Sequence, residues 1–165
     1  MHESARVHFQ RFADKYLDRE ARLHICDVGS CDVNGKYLDQ LLMANWRHTG
    51  IDIVAGPNVD IVVGEYDWPQ IGDGYFDAVI SGSCVEHVRM PWRWIGEVVR
   101  IVKPGGLIYL CAPNTWEYHE HPVDCWRIWP EGMRALMEWG GAVVVEAYSE
   151  GTDTVCIARK HDLLQ

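Results

Sequence analysis

The sequence predicts an α/β domain: a seven-stranded, mostly parallel sheet with one antiparallel strand and helices on both faces. Three observations carry this. Short apolar runs of strand length alternate with segments whose apolar residues recur at helical spacing. The connections between the early strands are long enough to return the chain to the same sheet edge, as a parallel pair requires. A glycine-centred turn, Gly151-Thr-Asp153, joins the last two apolar runs as a hairpin.

In chain order, residues 4–18 place Phe9, Phe12, Ala13, Tyr16 and Leu17 on one helical face. Leu23 to Gly29 reads as a strand ending in a glycine turn, and Gly35 to Trp46 as a helix with Leu38, Leu41, Leu42 and Trp46 on one side. Gly50–Val54 and Val59–Val63 are the second and third strands. The turn Gly72-Asp-Gly74 leads to a fourth, Phe76–Ile80. A helix from Pro91 to about Val102 begins on a proline, whose missing N–H is harmless there. It is stopped by Lys103-Pro-Gly-Gly106. Leu107–Ala112 is the fifth strand, Pro130 to about Trp139 a helix, and Val143–Tyr148 with Thr154–Ala158 the closing hairpin.

With 165 residues and no repeat, linker or low-complexity tract, residues 1–165 read as one domain with its own core. Fifteen basic residues against twenty-four acidic give a net charge of −9. Nucleic-acid affinity rests on Lys and Arg neutralising phosphates, so no nucleic-acid partner is expected. No apolar run approaches bilayer length, and Met1–Arg22 lacks the apolar core of a signal peptide. A cytoplasmic protein with no membrane association is expected. The six cysteines form no CxxC pair and read as reduced thiols.

In such sheets ligands bind beyond the carboxyl ends of the strands. The first loop there runs Asp27-Val-Gly-Ser-Cys-Asp-Val-Asn-Gly35. A dinucleotide site would place glycines at 29, 31 and 34 so that backbone can approach a pyrophosphate. Only Gly29 is present; Cys31 and Asn34 occupy the other two positions. A cofactor without a pyrophosphate, such as S-adenosylmethionine, makes no such demand. The loop still offers a tight turn, backbone N–H groups and Asp27, which suit an amino-acid moiety. Asp52, near the end of the second strand, is placed to accept both hydroxyls of a ribose.

Four segments together resemble the class I S-adenosylmethionine-dependent methyltransferases of the methyltransferase domain type 11 branch, whose fold is Rossmann-like. They are Ile25–Gly35, Thr49–Ile53, Asp73–His87 and Glu97–Gly106. The resemblance implies a cofactor site in which Asp27, Gly29, Ser30, Cys31 and Asn34 meet the methionine end. Asp52 and Ile53 would meet the ribose side, and Glu65, Tyr66, Asp67 and Trp68 the adenine. Ser81, Gly82 and Ser83 would line the transferable methyl. Cys31 and Val33 stand where the family has glycines.

Methyl transfer from a sulfonium is an in-line displacement in which alignment is the protein's main task. A base is needed only where the acceptor must lose a proton. The aromatic loop 113–129 is the expected lid or substrate wall, since long loops of this kind are usually functional. In it His119 and His121 could act as base, Asp124 could orient either, and Arg127 could hold an anionic group. A structural alternative pairs Asp124 with Arg127 and packs Trp126 and Trp129 on the sheet edge. His87, Asn114, Trp116 and Trp126 complete the expected substrate contacts. His119, His121 and Asp124 are also metal-ligand types, but no fourth ligand is visible and no metal is expected.

The reading is therefore methyl transfer from S-adenosylmethionine, leaving S-adenosylhomocysteine, to an O or N atom of a small-molecule, glycan or carrier-bound acceptor. A small lid fits an open site, a larger acceptor or a homodimer that completes the pocket. Two alternatives stay open. One is a catalytically silent S-adenosylmethionine-binding partner protein. The other is a dinucleotide-dependent oxidoreductase or epimerase, against which stand the missing glycines and the lack of a Tyr-x-x-x-Lys pair.

Overall fold

A computed structural model describes residues 3–32 and 45–162. The helix expected over Gly35–Trp46 (all but its last two residues) and the expected cofactor residue Asn34 lie outside the described residues. The elements run α1 (Glu3–Tyr16), β1 (His24–Val28), β2 (Arg47–Asp52), β3 (Ile61–Val62), β4 (Phe76–Gly82), a 3₁₀ turn (Val85–His87), α2 (Pro91–Ile101), β5 (Val102–Pro113), α3 (Pro130–Trp139), β6 (Ala142–Glu150) and β7 (Asp153–Lys160). They form one seven-stranded sheet in the order β3-β2-β1-β4-β5-β7-β6. All pairs from β3 to β5 are parallel, and β7 runs antiparallel to both β5 and β6.

Alternation along the strands divides the core between two faces. Ile25, Ala78, Ile80, Leu107, Tyr109, Val155 and Ile157 pack with Phe9, Phe12 and Ala13 of α1. Their neighbours Cys26, Val79, Ile108, Leu110, Cys156 and Ala158 pack with Trp94, Ile95, Val98 and Val99 of α2 and with Met133 and Met137 of α3. The spacing of the four α2 residues makes one helical stripe, and each large side chain so buried contributes about 1.5–3 kcal/mol. Phe9 and Phe12 lie against the Tyr109 ring at centroid distances of 5.9 and 4.9 Å, anchoring α1 to the centre of the sheet.

Two connections differ from the expected alternation of strands and helices. Residues 53–60 link β2 to β3 by turns, because Gly56-Pro57-Asn58 cannot continue a helix and Asn58 takes a left-handed φ of 67°. That loop is fixed by the Asp32 N–H donating to the Pro57 carbonyl and the Ser30 hydroxyl donating to the Asn58 carbonyl. Residues 63–75, punctuated by Pro69, Gly72 and Gly74, likewise carry no helix. A third difference lies at Lys103–Gly106. The segment ends α2 as expected but belongs to β5, as an irregularity that advances the pairing from Phe76↔Val102 to Ala78↔Leu107. Lys103 closes it with an ion pair to Asp77 of 2.6 Å.

Candidate active site

The carboxyl ends of β1, β2, β4 and β5 open on a cavity of about 860 Å³. One side is built from the turns after β1 and β2. Gly29 has a φ of +79°, and a Cβ there would lie 2.6 Å from the Cys84 sulfur. The loop thus turns sharply and lies flat against the β4 loop, which only glycine permits. Asp52 faces the cavity with both carboxylate oxygens aligned by backbone: Oδ2 accepts from the Cys31 N–H at 3.0 Å and Oδ1 from the Val54 N–H at 3.2 Å. Each oxygen keeps a further lone pair for a hydroxyl donor. Ile53, Val54 and Val63 give this end apolar walls.

The other side is a composite of the 3₁₀ turn and the 114–129 loop. The Cys125 and Trp126 N–H groups donate to the Glu86 carbonyl, the Trp126 indole N–H donates to the Val88 carbonyl at 2.7 Å, and the His87 Nδ1–H to the Val123 carbonyl at 2.5 Å. These bonds bring His87, His119 and His121 together, with ring centroids 4.9–6.1 Å apart. Burial keeps the His87 imidazole below its ordinary pKa and so neutral. Beside it lies Glu86, fully buried, whose carboxyl is pushed up to about 8 by desolvation.

The structure sorts the expected residues. Gly29, Cys31, Asp52, Ile53, Glu65, Tyr66, Trp68, Ser83, His87, Trp116, His119 and His121 line the cavity. Trp68 is also core, its indole N–H donating to the Gly64 carbonyl and its backbone N–H to Glu97. Nine expected residues are not on the cavity wall, each for a local reason. The Asp27 carboxylate is buried 3.8 Å from the His48 ring, and the Ser30 hydroxyl serves the 53–60 loop. The Ser81 hydroxyl donates to the Val28 carbonyl at 2.7 Å, leaving Ser83, not Ser81 or Gly82, to face the ligand space. Asp67 lies exposed beyond the wall. Asn114 is buried toward Thr154, and Trp126 is turned to Val88. Asp124 and Arg127 form a two-pronged ion pair at 2.6 and 2.7 Å, so the structural alternative holds for them. Trp126 and Trp129, by contrast, are exposed rather than packed.

Glu86, Val88 and Asp153 line the cavity without having been expected there. A glutamate next to a histidine after a strand gives little warning that tertiary packing will bury it. The six cysteines are free thiols, as expected. Among the described residues, no helix is long and apolar enough to cross a membrane.

Residues 26–110, more than half of the chain, match the methyltransferase domain family. The chain belongs to that family. Its match to an uncharacterized methyltransferase of Mycobacterium sp. (strain JLS) is 47% identical over 38 residues, 23% of this chain and only 15% of that protein's length. Among solved structures, the Haloferax volcanii methyltransferase in complex with the Trm112 methyltransferase activator superposes with a TM-score of 0.70 at 17% identity, over 99% of this chain and 92% of that one. Burkholderia thailandensis 1,6-didemethyltoxoflavin-N1-methyltransferase, with its acceptor and S-adenosylhomocysteine bound, superposes with a TM-score of 0.74 at 18% identity, over 97% of this chain and 80% of that one. At such identities the likeness is one of fold. The methyltransferase domain is of the S-adenosylmethionine-dependent class, and the dinucleotide alternative is set aside. The residues fit that cofactor at the ribose end, where the Asp52 carboxylate is held on the wall by two N–H donors.

Proposed function

We propose that this protein transfers the methyl group of S-adenosylmethionine to an oxygen or nitrogen of a small-molecule, glycan or carrier-bound acceptor. The observation that supports it is the continuity of the cavity, which runs from Asp52 past Gly29, Ser83 and Cys84 to the histidine cluster. One end carries a ribose-type anchor and the other a set of bases, so a bound cofactor and an acceptor would meet between them.

Bound S-adenosylmethionine supplies an electrophilic methyl on a positively charged sulfur, which leaves as the neutral thioether of S-adenosylhomocysteine. In this reading Asp52 holds the ribose, Gly29 and Cys31 offer backbone to the methionine end, and Ile53, Val54 and Val63 enclose the base. Ser83 and Cys84 line the passage to the acceptor. His119 and His121 would take the proton that a hydroxyl acceptor gives up on methylation. Asp124 acts as a positioning residue: it accepts the His119 backbone N–H at 2.8 Å and stands 3.4 Å from that ring. Trp116 offers a face to an apolar or sugar acceptor.

Calorimetry with S-adenosylmethionine and S-adenosylhomocysteine on the wild type and Asp52→Ala tests the cofactor half. Micromolar binding weakened at least tenfold by the substitution, about 1.4 kcal/mol, is expected. Binding that is absent, or indifferent to Asp52, defeats the assignment. Mass-shift screening of acceptor panels tests the other half: a 14 Da gain, about one methyl for one hydrogen, supports transfer, whereas tight binding without turnover indicates a silent partner protein.

A further inference from the structure

Among the described residues, Glu86, His87 and His119 each offer one ligand atom, and these atoms all lie within 4.8 Å of one another. Neither oxygen of the fully buried Glu86 side chain has a hydrogen-bond partner. A buried carboxyl without a hydrogen-bond partner is destabilising, and such a group calls for an explanation, a bound ion being one. The His87 Nε2 lies 3.7 Å from Glu86 Oε1. Both imidazoles are oriented from behind: the Nδ1–H of His87 donates to the Val123 carbonyl and that of His119 to the Glu117 carbonyl at 3.0 Å. Each bond leaves Nε2 with its lone pair, the arrangement that fixes metal-binding histidines. Asp124, a ligand type by composition, is committed to Arg127 and the His119 backbone and contributes nothing to the set.

We propose that Glu86, His87 and His119 bind a divalent transition-metal ion of the zinc class at the acceptor end of the cavity. Two imidazoles and one carboxylate suit zinc or cobalt better than magnesium or calcium, which favour oxygen throughout. Metal–ligand bonds of about 2.0–2.1 Å in a tetrahedral site put ligand atoms roughly 3.3–3.5 Å apart. From separations of up to 4.8 Å the cluster therefore needs to close by up to about 1.5 Å, which His119, on its loop, can supply. All three residues line the cavity, so the open coordination positions face the ligand space. The use of this ion in catalysis rests on the methyl-transfer reading. An acceptor hydroxyl bound to it loses its proton more readily, and His121, its ring 5.8 and 6.1 Å from those of His87 and His119, is left to take that proton.

The test is a titration of the full chain, stripped by a chelator, with Co²⁺ followed by visible absorption and with Zn²⁺ by calorimetry. One equivalent bound at micromolar affinity, with nitrogen–oxygen cobalt bands, is expected. Glu86→Gln and His119→Ala should each weaken it at least tenfold while His121→Ala weakens it less. His119→Ala removes a half-buried side chain of the 114–129 loop, outside the sheet core, and so stands in if Glu86→Gln fails to fold. No binding below millimolar, a cobalt–thiolate band that puts the metal on cysteine, or affinity untouched by His119→Ala overturns the proposal. S-adenosylhomocysteine is titrated into the same samples. Metal binding without it keeps this site and removes the methyl-transfer reading, and the reverse result removes the site alone.

Discussion

At position 29 a side chain has nowhere to go. The backbone is left-handed there, and a Cβ would press on the Cys84 sulfur and Cβ at 2.6 and 2.7 Å. Gly29→Ala should therefore cost about 1–3 kcal/mol, read as a lower midpoint in urea unfolding. An unshifted midpoint would show that the β1 and β4 loops do not meet this closely. Asp52 belongs to the same scale but a different observable: its two N–H donors orient the carboxylate on the cavity wall, and if it anchors the cofactor ribose as proposed, its substitution should change affinity far more than stability. Glu86 combines both. Its burial withholds solvent, and three histidine rings lie close together beside it.

Among elements, the 114–129 loop shows how an irregular segment becomes a wall. Arg127 grips Asp124 with two nitrogens and also donates to the Trp116 and Glu117 carbonyls, tying the loop to itself. Lysine cannot reproduce that fork. Arg127→Lys should leave the nearly inaccessible Asp124 carboxylate short of donors, at a local cost of about 1–3 kcal/mol. We expect faster proteolysis and hydrogen exchange within 114–129, with the exchange of β4 and β5 unchanged. Equal loosening across the sheet would mean that the loop is part of the global folding unit. The bonds of Cys125 and Trp126 to Glu86 carry such an effect to the histidine cluster, so S-adenosylhomocysteine affinity should fall less than acceptor turnover.

Over the whole molecule, the Glu97–Arg100 pair joins α2 to the helix-free 63–75 connection. Arg100 donates to Glu97, Asp73 and the Ile71 and Trp68 carbonyls, while Glu97 accepts the Trp68 N–H. The Arg100 hydrogen bonds hold the Glu97 carboxyl below its usual range. A group whose folded pKa is depressed gives its full stabilisation above the unfolded value and loses it as pH falls through the folded one. Glu97→Gln should accordingly destabilise the protein by about 1–3 kcal/mol near neutrality. The gap to wild type should narrow once the pH falls below the ordinary glutamate value near 4.5. Thermal melts of both proteins across that range measure it, and a gap that stays constant with pH would remove the charge from the explanation.

The sequence by itself determined the layered architecture. Short continuous apolar runs such as Leu107–Ala112 report a buried strand, and the helical stripe Trp94-Ile95-Val98-Val99 a buried face; both are properties of neighbouring residues. It also located Asp52 and the histidine-rich loop, because strand ends in a parallel sheet converge whatever their side chains do. Which polar groups face the cavity was decided only by the tertiary structure. Ser30 and Ser81 look like ligand contacts but satisfy backbone carbonyls from other elements. Asp124 and Arg127 satisfy each other, whereas Glu86 is left buried without a hydrogen-bond partner. The reason is physical: hydrophobic patterning is summed over many residues and survives in sequence. The direction of one hydroxyl or carboxylate depends instead on the few long-range partners that reach it, and those are set when the sheet closes and the 114–129 loop docks.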